Sequence, residues 1–305
     1  TGSESDPYLI FYANHLYNVR NYTDIDSIYF RQVNSIFLDT EPWNVGTGWI
    51  PIGTAEKPFK GSYKNGYISG LTVNDPSLNY AGLFGAVVNA DLQNITVKNV
   101  NVEGNLACGG LTGSCYASKI TECSSEEGAV KGNEEIGGLI GSSWLSIINS
   151  SSSKINVEGT NNVGGFSGFS CSVIKDCYAR GNVQGDSLVG GFVAVSFDST
   201  ITNCYSTGLV TGNVYTGGFS AYGSSTLFKN CYWDIETSGQ TSSGGGDGRT
   251  TADMTQPDFE YTFLDWDFVN VWNNISYLND GYPLFVWQSP TDIENPETSI
   301  PESIV

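Results

Sequence analysis

Few side chains in this sequence could perform catalysis, and they are scattered. The acidic candidates are two adjacent pairs, Glu126/Glu127 and Glu134/Glu135, and a lone Asp186. A glycosidase needs two carboxylates facing each other across the bond it breaks. Both pairs here flank a Val-Gly stretch and read as solvated loop charges. His15 is the single histidine, with no second His, Cys or carboxylate at ligand spacing, so it reads as a packing residue rather than a metal ligand. Seven cysteines are present without a CxxC pair, so no zinc or redox motif forms. There is no GxSxG, no phosphate loop and no HExxH. What remains is binding chemistry. An aromatic ring that faces solvent can stack on the apolar face of a sugar, and neighbouring polar groups can fix its orientation.

The aromatic residues fall into two columns. Tyr116, Trp144 and Phe197 each lie six residues after an aligned glycine, at 110, 138 and 191. In the intervening unit Cys171 holds that position and Phe169 stands two residues earlier, giving a broken column of Tyr116, Trp144, Phe169 and Phe197. Trp144 stands out because SSWLS places a bulky residue among small polar ones. The second column is Tyr178, Tyr205 and Tyr232, each directly after a cysteine. Adjacent residues of a strand point to opposite faces, so buried thiols would put these tyrosines outside. Inward packing of the first column and a purely structural surface ladder for the second stay open as alternatives. Trp43, Trp49, Trp272 and Trp287 read as packing residues near the two ends.

The spacing of these columns comes from a recurring glycine motif. It reads AGLFG at 81–85, GGLTG at 109–113, GGLIG at 137–141, GGFSG at 164–168, GGFVA at 190–194 and GGFSA at 217–221. The aligned glycine recurs at steps of 28, 28, 27, 26 and 27 residues, which means one structural unit stacked on itself. Other columns keep the same period. A polar one runs Asn94, Glu122, Asn149, Asp176, Asn203 and Asn230, and a valine one Val102, Val130, Val157, Val183 and Val210. A cysteine column runs Cys123, Cys177, Cys204 and Cys231, with Ser150 in the missing rung. Each unit reads as short strands broken at fixed corners, where glycine supplies a positive φ or a tight bend. Asn and Asp suit a corner that bonds its own backbone. No helical period appears inside a unit, and 27 residues are too few for a four-stranded propeller blade. The fold class expected is therefore all-β, a right-handed parallel β-helix with coils of about 27 residues.

The ends differ from this body. Leu9, Tyr12, Ala13, Leu16, Tyr17 and Val19 follow a helical face, predicting a short capping helix near 12–21. After Asp234 the period is lost. SGQTSSGGGDG, 238–248, reads as a flexible loop, TTADM as one helical turn, and the aromatic WDFVNVW and GYPLFVW as strands of a C-terminal cap. We divide the chain into an N-terminal cap with first rungs (1–58), a repeat body (59–234), a C-terminal aromatic cap (235–288) and a Pro/Glu-rich linker (289–305). The start TGSESDP and the single methionine, Met254, read as an excised or mature fragment. The formal charge is −19, which argues against a nucleic-acid groove or an anionic membrane surface as partner. No run of 18 apolar residues predicts a membrane span. The acidic loop around Asp247 offers oxygen ligands for calcium, but the repeat lacks the calcium-binding nonapeptide, so no cofactor is expected.

The glycine pentapeptides, the GWIPIG and FKGSYKNGYISGLTV entry and the NCYWD to LDWDFVNVW exit resemble GLUG-repeat domains of secreted bacterial proteins. The resemblance spans about 8–288. It implies a right-handed β-helix on a secreted or surface-displayed bacterial protein, and it is similar to β-helical carbohydrate-binding modules attached to polysaccharide hydrolases such as xylanases. The motifs are structural, so no functional residue carries over. On that basis the chain is expected to be a non-catalytic polysaccharide-binding module tethered by a linker to a hydrolase. Plant cell-wall glycan is the expected ligand, xylan first. The alternatives are a bacterial adhesin or stalk and, more remotely, a β-helical lyase or hydrolase. Of the NxD, DD, GHG and RxK segments of β-helical polygalacturonases, only a lone Asn89-Ala90-Asp91 occurs, without the other three.

Overall fold

A computed structural model describes residues 1–289. The linker expected over 289–305 lies, apart from Ser289, outside the described residues. Each long strand pairs in parallel with strands one unit before and one unit after it. Asp91–Glu103 sits between Ser62–Ser69 and Lys119–Lys131, and Ser167–Ala179 between Ile140–Asn149 and Thr200–Ser206. A second face is a five-stranded parallel ladder running from Leu106–Cys108 to Val214–Gly217. The result is an all-β parallel solenoid of about six turns.

Stacked identical side chains fill its interior. The valine column is buried, as are Leu83, Leu111, Leu139, Phe166, Phe192 and Phe219 of the glycine motif. Phe166, Phe192 and Phe219 stack with ring centroids 4.8 and 4.7 Å apart, which is the strand spacing itself. Burying each ring contributes about 1.5–3 kcal/mol. The cysteine column is inward as well, and all seven cysteines are free thiols. Cys123, Cys177, Cys204 and Cys231 are each buried, donating to backbone carbonyls two residues earlier at 3.2–3.4 Å.

Two details differ from the expectation. The motif glycines have no positive φ. A Cβ on Gly138 would collide with Ser153 Oγ and the Gly165 carbonyl, and one on Gly137 with the Ile140 carbonyl. Their task is close backbone approach between coils, not a left-handed bend. The left-handed corners belong instead to Asn94, Glu122, Ser150, Asp176, Asn203 and Asn230, with φ between 47 and 54°. Asn and Asp tolerate this region best. Ser150, not Asn149, holds that corner, and Ser151 fills the cysteine column, its hydroxyl accepting from the Cys123 amide. The coil there is 28 residues long, and Asn149 pairs with Thr121 and Lys175.

One end is plugged by the helix Ala13–Asn18 and the 3-10 turn Val19–Tyr22. Leu16 and Val19 enter the core, and Arg20 lies 3.7 Å over the Tyr17 ring. Trp49 is buried and donates to the Leu83 carbonyl, Trp43 packs partly against it, and His15 is exposed. At the other end the segment 238–248 is no free loop. Gly218 donates to Ser242 O and Gly244 to Ser220 O, and Asp247–Arg249 pairs with Tyr232–Asp234. It closes the last coil. Thr251–Thr255 forms the expected helical turn, capped reciprocally by Thr250 and Asp253. The chain then runs back along the flank of the solenoid as a strap. Its strands are only Trp272–Asn273 and Leu284–Phe285, antiparallel.

A candidate binding flank

The strap decides the fate of the second aromatic column. Tyr178, Tyr205 and Tyr232 do point away from the thiols, as strand parity requires. They are nevertheless buried, in a cluster with Met254, Phe263, Trp266, Trp272, Tyr282 and Phe285. Tyr178 and Tyr205 stack at 5.0 Å and 9°. Their hydroxyls donate to Gln288 Oε1 and to the Pro283 carbonyl at 2.8 and 2.5 Å. Arg180 clamps the same strap, donating to Asn279 and Asp280 and lying 4.6 Å over Tyr282. Gln288 reaches Ser152, so the strap spans four coils. Tyr178, Tyr205 and Tyr232 are therefore structural, and the expectation that they contact a ligand is corrected. The residues that cover them lie far away in sequence.

The first column stays in the open. Relative exposure is 47% for Tyr116, 41% for Trp144 and 39% for Phe197. Tyr116, Trp144 and Cys171 occupy one register position in successive coils, with Phe169 in register with Ser142 and Val195. Phe169 is 8% exposed because Trp144 covers it, centroids 4.6 Å apart and stacked. The contact continues from Phe169 to Phe197 and from Phe197 to Tyr222, each at 5.9 Å. From Trp144 to Tyr222 the broken column is thus a continuous aromatic band along the axis, with Tyr116 one coil before Trp144 in the same register. A serine ladder holds its corner. The Ser118 amide donates to Ser146 Oγ at 3.1 Å, and that hydroxyl donates to the Trp144 carbonyl at 2.9 Å. The same pair of bonds recurs at Ser199, which accepts from the Ser172 amide and donates to the Phe197 carbonyl.

Beside the band runs a second row that the sequence reading missed. Ala107, Glu135, Asn162, Leu188 and Tyr215 recur three residues before the aligned glycines, all with positive φ near 53–58°. At the other corner column this conformation is filled mostly by Asn and Asp. Here Glu, Leu and Tyr accept the backbone cost, about 1–2 kcal/mol each, although nothing in the backbone calls for them. Their side chains line an open groove of about 550 Å³ with Asn161, Phe169, Val195, Phe197 and Tyr222. The period would have revealed both Tyr222, at the register of Phe169, and this row.

The polar groups of the groove are unusual. Glu135 is half-buried, and loss of solvent pushes its carboxyl above the ordinary range. A Ser142 hydroxyl opposes the shift and the Glu134 charge adds to it. Asn162 Oδ1 is buried without a hydrogen-bond partner. The other carboxylates singled out by sequence are held elsewhere. Glu127 pairs with Lys98 at 3.0 Å, Glu126 lies in register between Lys98 and Lys154, and Asp186 accepts from Asn213. Among the described residues, no three His, Cys, Asp or Glu side chains gather as metal ligands. No helix among them is long and apolar enough to cross a membrane.

Comparison with known proteins agrees with this architecture. The profile described as "The GLUG motif" matches residues 185–211, one coil of the solenoid. A "Putative Gly-rich membrane protein" of Evansella cellulosilytica is 40% identical over 121 residues, 38% of this chain and 14% of that protein. "Halomucin" of Haloquadratum walsbyi is 32% identical over 120 residues, 37% of this chain and 1% of that protein. The chain therefore matches only a small part of each relative. A crystal structure described as "a putative immunoglobulin A1 protease from Bacteroides ovatus" superposes with a TM-score of 0.69 over 94% of both chains at 18% identity. That likeness concerns the fold alone. The GLUG part of the resemblance is supported, whereas none of these matches is described as a xylanase or a carbohydrate-binding module.

Proposed function

We propose that this chain is a non-catalytic adhesive module, one segment of a longer protein displayed outside the cell membrane, and that it holds a glycan chain along its aromatic flank. One observation carries the reading. A band of aromatic rings faces solvent over successive coils, from Tyr116 and Trp144 to Phe197 and Tyr222, while the tyrosine ladder on another flank is sealed by the strap. Monomeric proteins seldom leave a contiguous apolar patch uncovered unless it meets a partner, and flat rings at regular steps suit an extended polymer. The relatives support the setting, since one is described as a membrane protein and each is far longer than the matched segment. The paired or solvated state of Glu126, Glu127 and Asp186 supports the non-catalytic half.

Affinity gel electrophoresis on a panel of soluble glycans tests it. At least one glycan should retard the protein, and Trp144→Ala or Tyr222→Ala should abolish retardation with the circular dichroism unchanged. Release of reducing ends or unsaturated products would overturn the non-catalytic claim. Absence of retardation on every glycan would leave the second reading, a stalk built from stacked coils, which the architecture itself favours.

A further inference from the structure

We propose that the groove beside the aromatic band recognises a positively charged amine, so that the glycan unit seated there is an amino sugar whose nitrogen is free rather than acetylated. The inference rests on the glycan-binding reading and names the chemistry of its ligand. The groove floor is apolar and aromatic, from Phe169, Leu188, Val195, Phe197, Tyr215 and Tyr222. Its volume of about 550 Å³ lies within the range of small-ligand clefts. Glu135 and Asn162 stand at its wall on consecutive coils. Glu134 pairs with Asn161 and Ile136 with Val163, so Glu135 lies directly beside Asn162. No Lys, Arg or His lines the groove to neutralise Glu135.

A neutral sugar would gain ring stacking there and could donate a hydroxyl to Glu135, but would leave the charge of a half-buried carboxylate uncompensated. A protonated amine answers each feature at once. It brings three N–H donors for the Glu135 carboxylate and the groups beside it. It also brings a charge that is attracted to the faces of the surrounding rings. Glu135 holds its place at φ 58°, where Asn would fit the backbone at lower cost, so local conformation does not account for the carboxylate. The overall charge of −19 steers cations towards the surface without selecting this groove.

The experiment is isothermal titration of the full 305-residue chain near neutral pH with glucosamine oligomers and with N-acetylglucosamine oligomers of the same length. The free-amine series should bind at least about tenfold more tightly, equivalent to roughly 1.4 kcal/mol. Glu135→Gln should erase that preference, the free-amine series falling to the affinity of the acetylated one. Glu134→Gln removes the same charge from the neighbouring exposed position and should keep the preference. If Glu134→Gln weakens binding as much as Glu135→Gln, attraction is general to the acidic surface and the groove assignment is overturned. Equal binding of the two series, or a preference that survives Glu135→Gln, overturns it as well. If neutral oligomers bind as tightly as the free-amine series and Trp144→Ala abolishes both, the glycan reading stands while the amine inference falls. If no glycan of either kind binds, both fall.

Discussion

Tyr205→Phe isolates the bond that fastens the strap. The ring of Tyr205 is wholly buried between Tyr178 and the strap aromatics. Its hydroxyl donates to the Pro283 carbonyl at 2.5 Å and accepts from Asn279 Nδ2 at 3.0 Å. Phenylalanine keeps the stacking and removes only these two bonds. Asn279 also donates to Pro283 O at 2.9 Å, so that carbonyl stays partnered, and the cost should be about 1–2 kcal/mol. That corresponds to a roughly 5- to 30-fold rise in the population of the opened strap. Native-state hydrogen exchange reads it directly. The Val286 amide, which donates to Val271 O across the strap, should exchange faster by that factor. The Leu139 and Phe192 amides, inside the coil stack, should not change. Unaltered exchange at Val286 would refute the claim that the tyrosine ladder anchors the strap. An equal increase at Leu139 and Phe192 would show that strap and solenoid open as one unit.

Three further outcomes follow from the packing. Gly138→Ala drives a methyl into Ser153 Oγ and the Gly165 carbonyl and should cost about 3 kcal/mol or more by denaturant unfolding, whereas Gly46→Ala, with no atom near its Cβ but a left-handed φ of 65°, should cost only the backbone strain of about 1–2 kcal/mol. Burial pushes the Cys108, Cys115 and Cys123 thiols up to about 12 and Cys204 well above its ordinary value, so these stay protonated at mildly alkaline pH. Cys171 alone is partly exposed, so mass spectrometry after iodoacetamide should find it as the modified residue in the native protein, and all seven after denaturation; native modification of the Cys177–Cys231 column would contradict the packing. Ser146→Ala leaves the buried Ser118 amide without its acceptor and should lower stability by about 1–3 kcal/mol, with the effect on glycan binding confined to Trp144, whose carbonyl loses one donor and keeps the Ala117 amide.

Much of this was legible because a solenoid is nearly one-dimensional: neighbours along its axis are neighbours in register, so a fixed period converts directly into stacked columns. The parallel all-β fold and the inward valine and cysteine columns follow from spacing and strand parity, whereas spacing left open whether Tyr116, Trp144 and Phe197 pack inward, and only the structure leaves them exposed. The groove row of Glu135, Asn162, Leu188 and Tyr215 was present in the same period, but its members share no chemical type, and only their common left-handed backbone makes them a row. The glycine motif shows where parity and composition stop short: glycine announces conformational freedom, yet these glycines serve close approach, a property of the neighbouring coil rather than of the residue itself. The tyrosine ladder marks the sharper boundary. Sequence determined that Tyr178, Tyr205 and Tyr232 turn away from the core, because alternation along a strand is local. Only the tertiary structure decided that they are buried. What lies over an outward face depends on a strap that meets it 32 to 110 residues further along the chain, held by Arg180, Gln288 and Pro283, and no local period records where such a segment comes to rest.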